Sequence, residues 1–450
     1  MLARLLAAAL TLPLAANATA QSLFEAHPIA TVPDGIELEG PPLVGPDGKT
    51  YEVRSRLVWS PDGLQVAYVG YSDGATHPVV GDHVEKAHDY VNQPAFGPTG
   101  DVVVFRLGDR RNKKKESWFL YRGPDEKPSK KQDWIGTPSI SPDGKRIVAW
   151  TQPGAKLDAQ GYYTRRNVVF WGGWKRGKKW NDALCLQEPV FSPNGDRVFS
   201  AVQKGPEWSV VAIDRKGEKE IEKGFSLVRE VVAHPGGEKV ATTATVQPDS
   251  ADLVGADLAA LMGAHRVVYE GEVYGADFDH SCAPVFSPDG RHLAYKVVKD
   301  EAMGIAIDGD ADAGTPWDYV TRPVFAPGSE LVAYVGNRGS ELKGLLRIQV
   351  SSDLRDRGGV DQVIVADLDG TERPVGETAA RIDHVVWGPG EEQLAYAART
   401  EDGWRIVCGD ATSEPFDEIG PPVFDESGAM IAFGARKDRA ITWEVLDLGG

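Results

Sequence analysis

Cysteine is scarce in this sequence: the 450 residues contain only Cys185, Cys282 and Cys408. A disulfide framework or a zinc knuckle needs more cysteines or closer spacing. A fold held together by several disulfides or by structural zinc is therefore excluded. We expect small buried thiols, with one oxidised pair as the alternative in an exported protein.

The sequence also has fewer basic than acidic residues and few long apolar runs. Lysine and arginine total 49 against 66 aspartates and glutamates, which gives a net charge of −17. An acidic chain repels polyanions, so nucleic acid is not the expected partner. No apolar run after residue 20 is long enough to span a bilayer as a helix, so the protein is not expected to cross a membrane.

The first twenty residues have the pattern of a cleaved secretory signal peptide. Arg4 precedes a short apolar run, and the small residues Ala18 to Ala20 provide a cleavage site. Because no cysteine follows the cut, a bacterial lipid anchor is not indicated. We predict a signal peptide at 1–20, an N-terminal extension at 21–49, and a periplasmic or secreted location.

One stretch is abundant: PVFSPDGRHLAY at Pro284–Tyr295 recurs along the chain. Glycine and proline are plentiful, at 50 and 30 residues, as expected for short strands joined by tight turns. Nine copies align on one anchor residue, which is usually aromatic. We call them repeats 1 to 9, with the anchors Trp59, Phe96, Ile140, Phe191, Ala233, Phe286, Phe325, Trp387 and Phe424.

Each copy predicts a β-hairpin. In repeat 6 the apolar Val285 and Phe286 end one strand, Ser287 to Gly290 form a tight turn, and His292 starts the next strand. Proline presets φ, the Asp side chain can accept from amides two residues on, and glycine tolerates positive φ. Apolar stretches for a third and a fourth strand follow, so one repeat encodes four strands.

The repeat length and the chain ends indicate a ring. Anchor spacings range from 37 residues between Trp59 and Phe96 to 62 between Phe325 and Trp387, and a propeller blade needs roughly 40 to 50. A helix is expected in an insertion at 250–265. Repeat 9 ends with a third strand at 440–448, and the segment 50–59 has the fourth-strand pattern, so we predict that 50–59 completes the last blade and removes a sheet edge.

The hairpin motif resembles the TolB-like, or WD40-like, β-propeller repeat of exported bacterial proteins, over about 51–450. The resemblance implies an all-β fold, a single β-propeller at 50–450 of about nine four-stranded blades, with eight as the alternative. The chain differs from TolB in lacking a separate N-terminal α/β domain and in having nine copies where six are usual. The family includes envelope-complex components and peptidase accessory domains, so the motif predicts fold more than function.

One position in the repeat is a candidate for ligand binding. The residue three before the anchor begins the innermost strand, and in a propeller these strand starts meet at one mouth of the central channel. We predict binding residues there: Arg56, Gln93, Glu188, Glu230, Arg322 and His384. Repeats 3, 6 and 9 have Thr137, Ala283 and Pro421 at this position. The alternative interpretation is a set of unconstrained solvated positions.

Repeats 2 and 3 have basic loops interleaved with aromatic residues. They would make one sector of the rim cationic, which suits an anionic glycan, a lipid headgroup or an acidic protein. The alternative is a set of solvated loop tips. The residues of this predicted basic rim are Lys113, Lys114, Lys115, Trp171, Trp174, Lys178 and Lys179.

Three other motifs favour structural interpretations. GYSDG at 70–74 matches a nucleophile elbow around Ser72, but no α/β sheet surrounds it. DGDADAG at 308–314 begins like a calcium loop but lacks the glycine and the glutamate that such a loop needs. The triplet His77, His83 and His88 lacks metal-site spacing.

An acidic residue seven before several anchors is expected to cap turn amides, because it recurs with the fold. The members of this set are Asp89, Asp133, Asp279, Asp318 and Asp417.

We therefore predict an exported, non-catalytic β-propeller that binds a protein or an anionic envelope polymer, without a cofactor or metal. The alternative is a propeller enzyme of lyase, glycosidase or lactonase type with its site at the channel mouth. Glu188 and Glu230 are the only acidic residues at this position in adjacent repeats, so they are the pair on which an enzyme would depend.

Overall fold

The structure is a computed structural model. It describes residues 23–44, 50–112, 115–122, 128–129, 131–152, 165–171, 179–181, 183–184, 188–204, 207–246, 264–309, 314–342 and 357–449.

The strands follow the repeats in chain order. Before repeat 1 lie β1 (His27–Thr31), β2 (Glu39–Val44) and β3 (Thr50–Arg54). Repeats 1 to 3 contain β4 (Val58–Trp59), β5 (Val66–Ser72), β6 (Ala75–Val80), β7 (His83–Val84), β8 (Tyr90–Val91), β9 (Ala95–Phe96), β10 (Val103–Asn112), β11 (Lys115–Tyr121), β12 (Trp134–Ile135), β13 (Ser139–Ile140), β14 (Ile147–Gln152), β15 (Arg165–Trp171) and β16 (Lys179–Asn181).

Repeats 4 to 6 contain β17 (Ala183–Leu184), β18 (Val190–Phe191), β19 (Val198–Lys204), β20 (Glu207–Asp214), β21 (Gly217–Ala233), β22 (Val240–Val246), β23 (His265–Tyr269), β24 (Glu272–Tyr274), β25 (His280–Phe286), β26 (Leu293–Lys299) and β27 (Ala302–Ile307). Repeats 7 to 9 contain β28 (Tyr319–Val320), β29 (Val324–Phe325), β30 (Leu331–Arg338), β31 (Val360–Asp367), β32 (Glu372–Ala379), β33 (Arg381–Trp387), β34 (Leu394–Thr400), β35 (Gly403–Cys408), β36 (Ala411–Thr412), β37 (Glu418–Ile419), β38 (Val423–Phe424), β39 (Met430–Lys437) and β40 (Ala440–Asp447).

All nine predicted hairpins are present, including the degraded copy at Ala233. In every copy the N–H of the residue after the anchor donates to the carbonyl five residues later, and a second bond closes the turn. In repeat 5 these bonds are His234 N–H to Lys239 O at 2.9 Å and Gly237 N–H to His234 O at 2.8 Å. The turn prediction is therefore confirmed at each anchor.

Side chains reinforce the turn as its sequence predicts. In repeat 6 the Asp289 carboxylate accepts from the Arg291 N–H at 3.0 Å and from the Ser287 hydroxyl at 2.6 Å. The Ser287 oxygen in turn accepts from the His292 N–H at 3.0 Å. The S-P-D-G sequence thus satisfies backbone donors that a bare turn would leave to water.

The fourth residue after the anchor has a positive φ in all nine repeats. Seven repeats have glycine there, whereas Ser329 has φ 72° and Glu391 has φ 62°. A side chain in this left-handed region costs about 1–2 kcal/mol. Repeats 7 and 8 therefore have strained turns that glycine would relieve.

We expect Glu391→Gly to preserve or raise the urea midpoint of unfolding, because the relief of strain offsets the extra chain entropy of glycine. The control is Glu392→Gly at the next position, where φ is not positive, and it should lower the midpoint. The two variants should differ by about 1–2 kcal/mol in unfolding free energy. Equal losses in both would contradict the argument from strain.

The strands of each repeat pair antiparallel, and they pack against the strands of the next repeat. Nine clusters of buried apolar residues lie in the described part of the chain, and each draws on two neighbouring repeats. One of them joins repeat 9 to repeat 1 through Trp443, Ile441 and Trp59. The chain is all-β over its described residues, and this side-by-side packing is that of a β-propeller.

The hairpin turns of successive repeats lie next to one another. The turn glycine of one repeat contacts a side chain of the preceding turn in the pairs Gly100 with Asp62, Gly144 with Thr99, Gly195 with Arg146, Gly237 with Asn194, Gly290 with His234 and Gly428 with Gln393. In repeat 1, Gly63 contacts Trp443 of repeat 9. The turns therefore share one end of the molecule, and the starts of the innermost strands lie at the other end.

The predicted partner of the C-terminal strand was wrong. β1 pairs with β40, with His27 opposite Trp443 and Thr31 opposite Ala440, whereas β3 of the predicted segment pairs with β2. The reason is packing: Ala30 and Val32 enter the core shared with Trp443, and the Trp443 indole donates to Leu23 O at 2.7 Å. Val58–Trp59 forms the first strand of repeat 1 itself.

The sheets differ in size from the expected four strands. Repeats 4 and 5 share an eight-stranded sheet, because β21 pairs with β20 in its first half and with β22 in its second. Gly224, with φ 85°, lies between the two halves. The helix predicted at 250–265 falls outside the described residues except for its last two, and His265 begins β23.

Candidate binding site at the strand starts

Most predicted channel-mouth residues are accessible to solvent. Arg322 is half-buried, whereas Glu230 and Ala283 are buried. Because they lie at the end of the strands opposite the turns, the accessible residues form one surface. The exposed members of this position are Arg56, Gln93, Thr137, Glu188, His384 and Pro421.

Arg322 and Glu230 form an ion pair across repeat 6. The second Glu230 oxygen accepts from the Thr243 hydroxyl at 3.4 Å, and that hydroxyl oxygen accepts from the Ala283 N–H at 3.3 Å. The residue of repeat 6 at this position is Ala283, which is buried. Three repeats are thus tied together by one carboxylate.

Side chains of repeats 1, 8 and 9 form a second group of charged and titratable residues. Glu418 accepts from the Leu57 N–H at 2.8 Å, and its pKa is raised by burial although Arg436 and Arg56 oppose the shift. The pKa of His384 is lowered, first by desolvation, with Arg56 contributing and Asp383 opposing. His384 is among the exposed residues at this position.

Arg106 belongs to the same surface, although the sequence pattern did not identify it as a candidate. It donates to Ile135 O at 3.2 Å and to Asn92 Oδ1 at 3.1 Å. Burial lowers its pKa, and the negative charge of Glu188 opposes that shift. Arg106 lies on the second strand of its repeat, at a position that the repeat pattern does not distinguish. Gln93 belongs to the same repeat as Arg106, and its side-chain amide donates to Arg56 O of the preceding repeat.

These contacts bear on the predicted acidic pair. Glu230 is held by Arg322 and Thr243, while Glu188 is exposed and lies in the field of Arg106. General acid–base catalysis by a carboxylate pair needs both groups turned toward a substrate. The ion pair with Arg322 engages one of the two carboxylates, and the other is exposed.

The predicted basic rim is described only in part. Lys113, Lys114, Trp174 and Lys178 lie outside the described residues. Lys115 begins β11 at the turn between the second and third strands of repeat 2, while Trp171 ends β15 opposite Ile147, next to the hairpin turn of repeat 3. Lys179 begins β16. The backbone register thus puts Lys115 and Trp171 at opposite ends of the strands.

The histidine triplet has structural partners. His77 Nδ1 donates to Glu85 O at 2.8 Å, so its Nε2 is the acceptor for the Ser72 hydroxyl at 2.8 Å. His88 is buried, and its Nδ1 lies 2.6 Å from Asp109 Oδ1. No group of three metal-ligating side chains occurs among the described residues.

The acidic residues seven before the anchors cap turns, as predicted. Four of the five carboxylates accept from a backbone N–H located 21 residues later, at the turn between the second and third strands. For Asp133 the corresponding position, 154, lies outside the described residues. The pairs are Asp89 with Arg110 at 2.6 Å, Asp279 with Asp300 at 2.8 Å, Asp318 with Gly339 at 2.6 Å and Asp417 with Asp438 at 2.6 Å.

Other predicted features are also accounted for. Asp308 of the acidic stretch accepts from the Leu293 N–H at 2.8 Å, and residues 310–313 lie outside the described part. Cys282 and Cys408 are buried, and Cys185 lies outside the described part. Within the described ranges, no helix is long and apolar enough to cross a membrane.

No protein-family model matches this chain, and no curated protein matches it either. Solved structures do match, at low identity. A eukaryotic initiation factor is 12% identical with a TM-score of 0.46, and 92% of each chain is covered. TolB from Acinetobacter baumannii is 14% identical with a TM-score of 0.30, covering 72% of this chain and 80% of that one.

Oligogalacturonate lyase from Vibrio parahaemolyticus is 11% identical with a TM-score of 0.38, covering 88% of this chain and 97% of that one. These structures include proteins that differ in what they do. At such identities and TM-scores, no activity or partner is inferred from them.

Proposed function

We propose that this protein is an exported, non-catalytic β-propeller that binds a protein or an anionic envelope polymer at its channel mouth, with the basic rim as a second contact. The signal-like residues 1–20 support export to the periplasm or beyond. The propeller is a single ring of nine blades. Its support is the set of nine cores that join neighbouring repeats, including the core that joins repeat 9 to repeat 1.

The observation that carries the proposed function is the strand-start surface. Equivalent positions in nine repeats present different side chains, and six of the nine are exposed. Charged groups there are fixed by neighbours, as Glu230 is by Arg322, and such preorganisation reduces the cost of binding. The turn end, by contrast, uses its polar side chains to satisfy its own backbone.

The test compares the mature protein, residues 21–450, with three variants in a pull-down from an envelope extract. The mouth variant carries Arg56→Glu and His384→Glu, and the rim variant carries Lys113→Glu, Lys114→Glu, Lys115→Glu, Lys178→Glu and Lys179→Glu. Arg291→Glu, on an exposed turn, is the control.

We expect the wild type and the turn control to recover the same partner and the mouth variant to lose most of it. The reason is that charge reversal at a binding surface adds like-charge repulsion. Loss in the rim variant as well would assign the basic loops to the same partner. Undiminished recovery by the mouth variant would contradict the proposed function.

A further inference from the structure

A cavity of about 520 Å³ lies between repeats 4 and 5, away from the channel mouth. It is bounded by residues 221–225 of β21 on one side and by β22, β23 and the Glu270–Gly271 turn on the other. A second cavity of about 340 Å³ adjoins it and shares Ile221 and Glu238. Together they form a groove long enough for an extended side chain.

The floor of the cavity is apolar. Phe225, Val240 and Val268 are buried beneath it, and Ile221 is half-buried at its edge. Val273 at the rim is 43% exposed, one of few large apolar side chains in the described residues to be so open. An aliphatic chain in the groove would cover the accessible surface of Ile221 and Val273, which is favourable.

Two of the three carboxylates that line the larger cavity have a cationic partner. Glu270 pairs with Lys239 at 2.6 Å, and Glu238 pairs with Arg197 at 3.3 Å. Both pairs are exposed and stay in water. Each of these rim carboxylates thus has a cation beside it. Glu222, the third carboxylate, belongs to neither pair.

Glu222 is half-buried and accepts a hydrogen bond from the Thr242 hydroxyl at 3.3 Å. No lysine or arginine of the described residues lies within ion-pair distance of it, and Lys223, its neighbour in the cavity wall, is exposed. Burial raises the pKa of Glu222 to about 7, against the opposing effect of the Thr242 hydrogen bond. A carboxylate in such a position gains strongly from an incoming cation.

We propose that this groove binds a cationic nitrogen on an aliphatic stem, the chemistry of a lysine side chain or a primary alkylamine, with Glu222 as the carboxylate that receives it. The stem covers Ile221 and Val273 above the buried floor. The other charged residues that line the larger cavity are Lys223, Lys239, Glu238 and Glu270; Lys239 pairs with Glu270, and Glu238 pairs with Arg197. This site is separate from the proposed channel-mouth function and does not depend on it.

The test is calorimetric titration of the full mature protein with pentylamine, with pentanol as the neutral probe of the same stem. Pentylamine stays protonated between pH 6 and pH 8, because its pKa is near that of lysine, about 10.4. Glu222 changes from roughly one-tenth to nine-tenths ionised over the same range, given a pKa of about 7. We expect pentylamine to bind roughly tenfold more tightly at pH 8 than at pH 6, and pentanol to show no such change.

Glu222→Gln should abolish the pH dependence and weaken pentylamine about tenfold at pH 8, while Glu220→Gln, at an exposed position outside both cavities, should leave binding unchanged. A melting curve of each variant verifies that it folds. Three results would overturn the proposal: no pentylamine binding, equal binding of pentanol, or a Glu222→Gln variant that binds pentylamine like the wild type.

Discussion

Asp361→Asn should destabilise the protein by about 3–5 kcal/mol, the largest effect we expect from a single substitution. Asp361 and Arg357 form an ion pair at 2.5 Å, with side chains 0% and 1% exposed. The same carboxylate accepts from Asn337 at 2.7 Å and from the Ile382 N–H at 2.8 Å. Neutralising it removes the carboxylate that a buried guanidinium contacts, which is the costly outcome in a low-dielectric interior.

The measurement is the urea midpoint of Asp361→Asn against the wild type. Arg291→Gln removes an exposed pair with Asp289 and should cost less than about 1 kcal/mol. A double variant with Arg357→Met and Asp361→Leu should recover part of the loss, because no buried charge remains. If Asp361→Asn costs no more than Arg291→Gln, the buried pair does not stabilise the fold as described.

Acid should destabilise the protein through His265, by about 3 kcal/mol between pH 7 and pH 4. Its ring is fully buried, and neither ring nitrogen has a hydrogen-bond partner among the described residues. Its pKa is lowered from 6.5 to about 3, mainly by burial and also by the charges of Arg229, His280 and Arg266. Below pH 6.5 the unfolded chain binds a proton that the folded chain does not, so stability is lost as pH falls toward 3.

His265→Leu tests this linkage. Its urea midpoint should fall less steeply between pH 7 and pH 4 than that of the wild type, by the equivalent of about 3 kcal/mol at pH 4. The effect of the substitution on packing is measured at pH 7, where the buried imidazole is neutral. This difference is then subtracted from the difference at pH 4. Identical pH profiles for the two proteins would show that His265 does not contribute to acid sensitivity.

Much of the fold could be predicted from the sequence because its determinants are local. The S-P-D-G turn satisfies its own amides within six residues, so a single copy such as Ser287 to His292 predicts its hairpin. Internal repetition then extended the prediction to weak copies. The capping role of Asp417 followed from the same reasoning, since a residue that recurs with the fold serves the fold.

What the sequence could not predict depends on contacts between distant segments. His27–Thr31 and Thr50–Arg54 both have strand-forming sequences, and only packing against Trp443 decides which one joins the C-terminal strand. The pairing of Arg322 with Glu230 bridges 92 residues. Glu222 has no sequence signal at all, because its character comes from burial between two repeats.

The measurement that tests the central claim most directly is photo-crosslinking from both ends of the molecule. A photoreactive amino acid replaces His384 or Pro421 at the strand starts, and Arg291 or Glu392 at the turns, one position at a time. Each protein is irradiated in an envelope extract, and the adducts are compared. Binding at the channel mouth predicts a common adduct from His384 and Pro421 and none from the turn positions. Adducts that form equally from both ends, or from the turns alone, would contradict it.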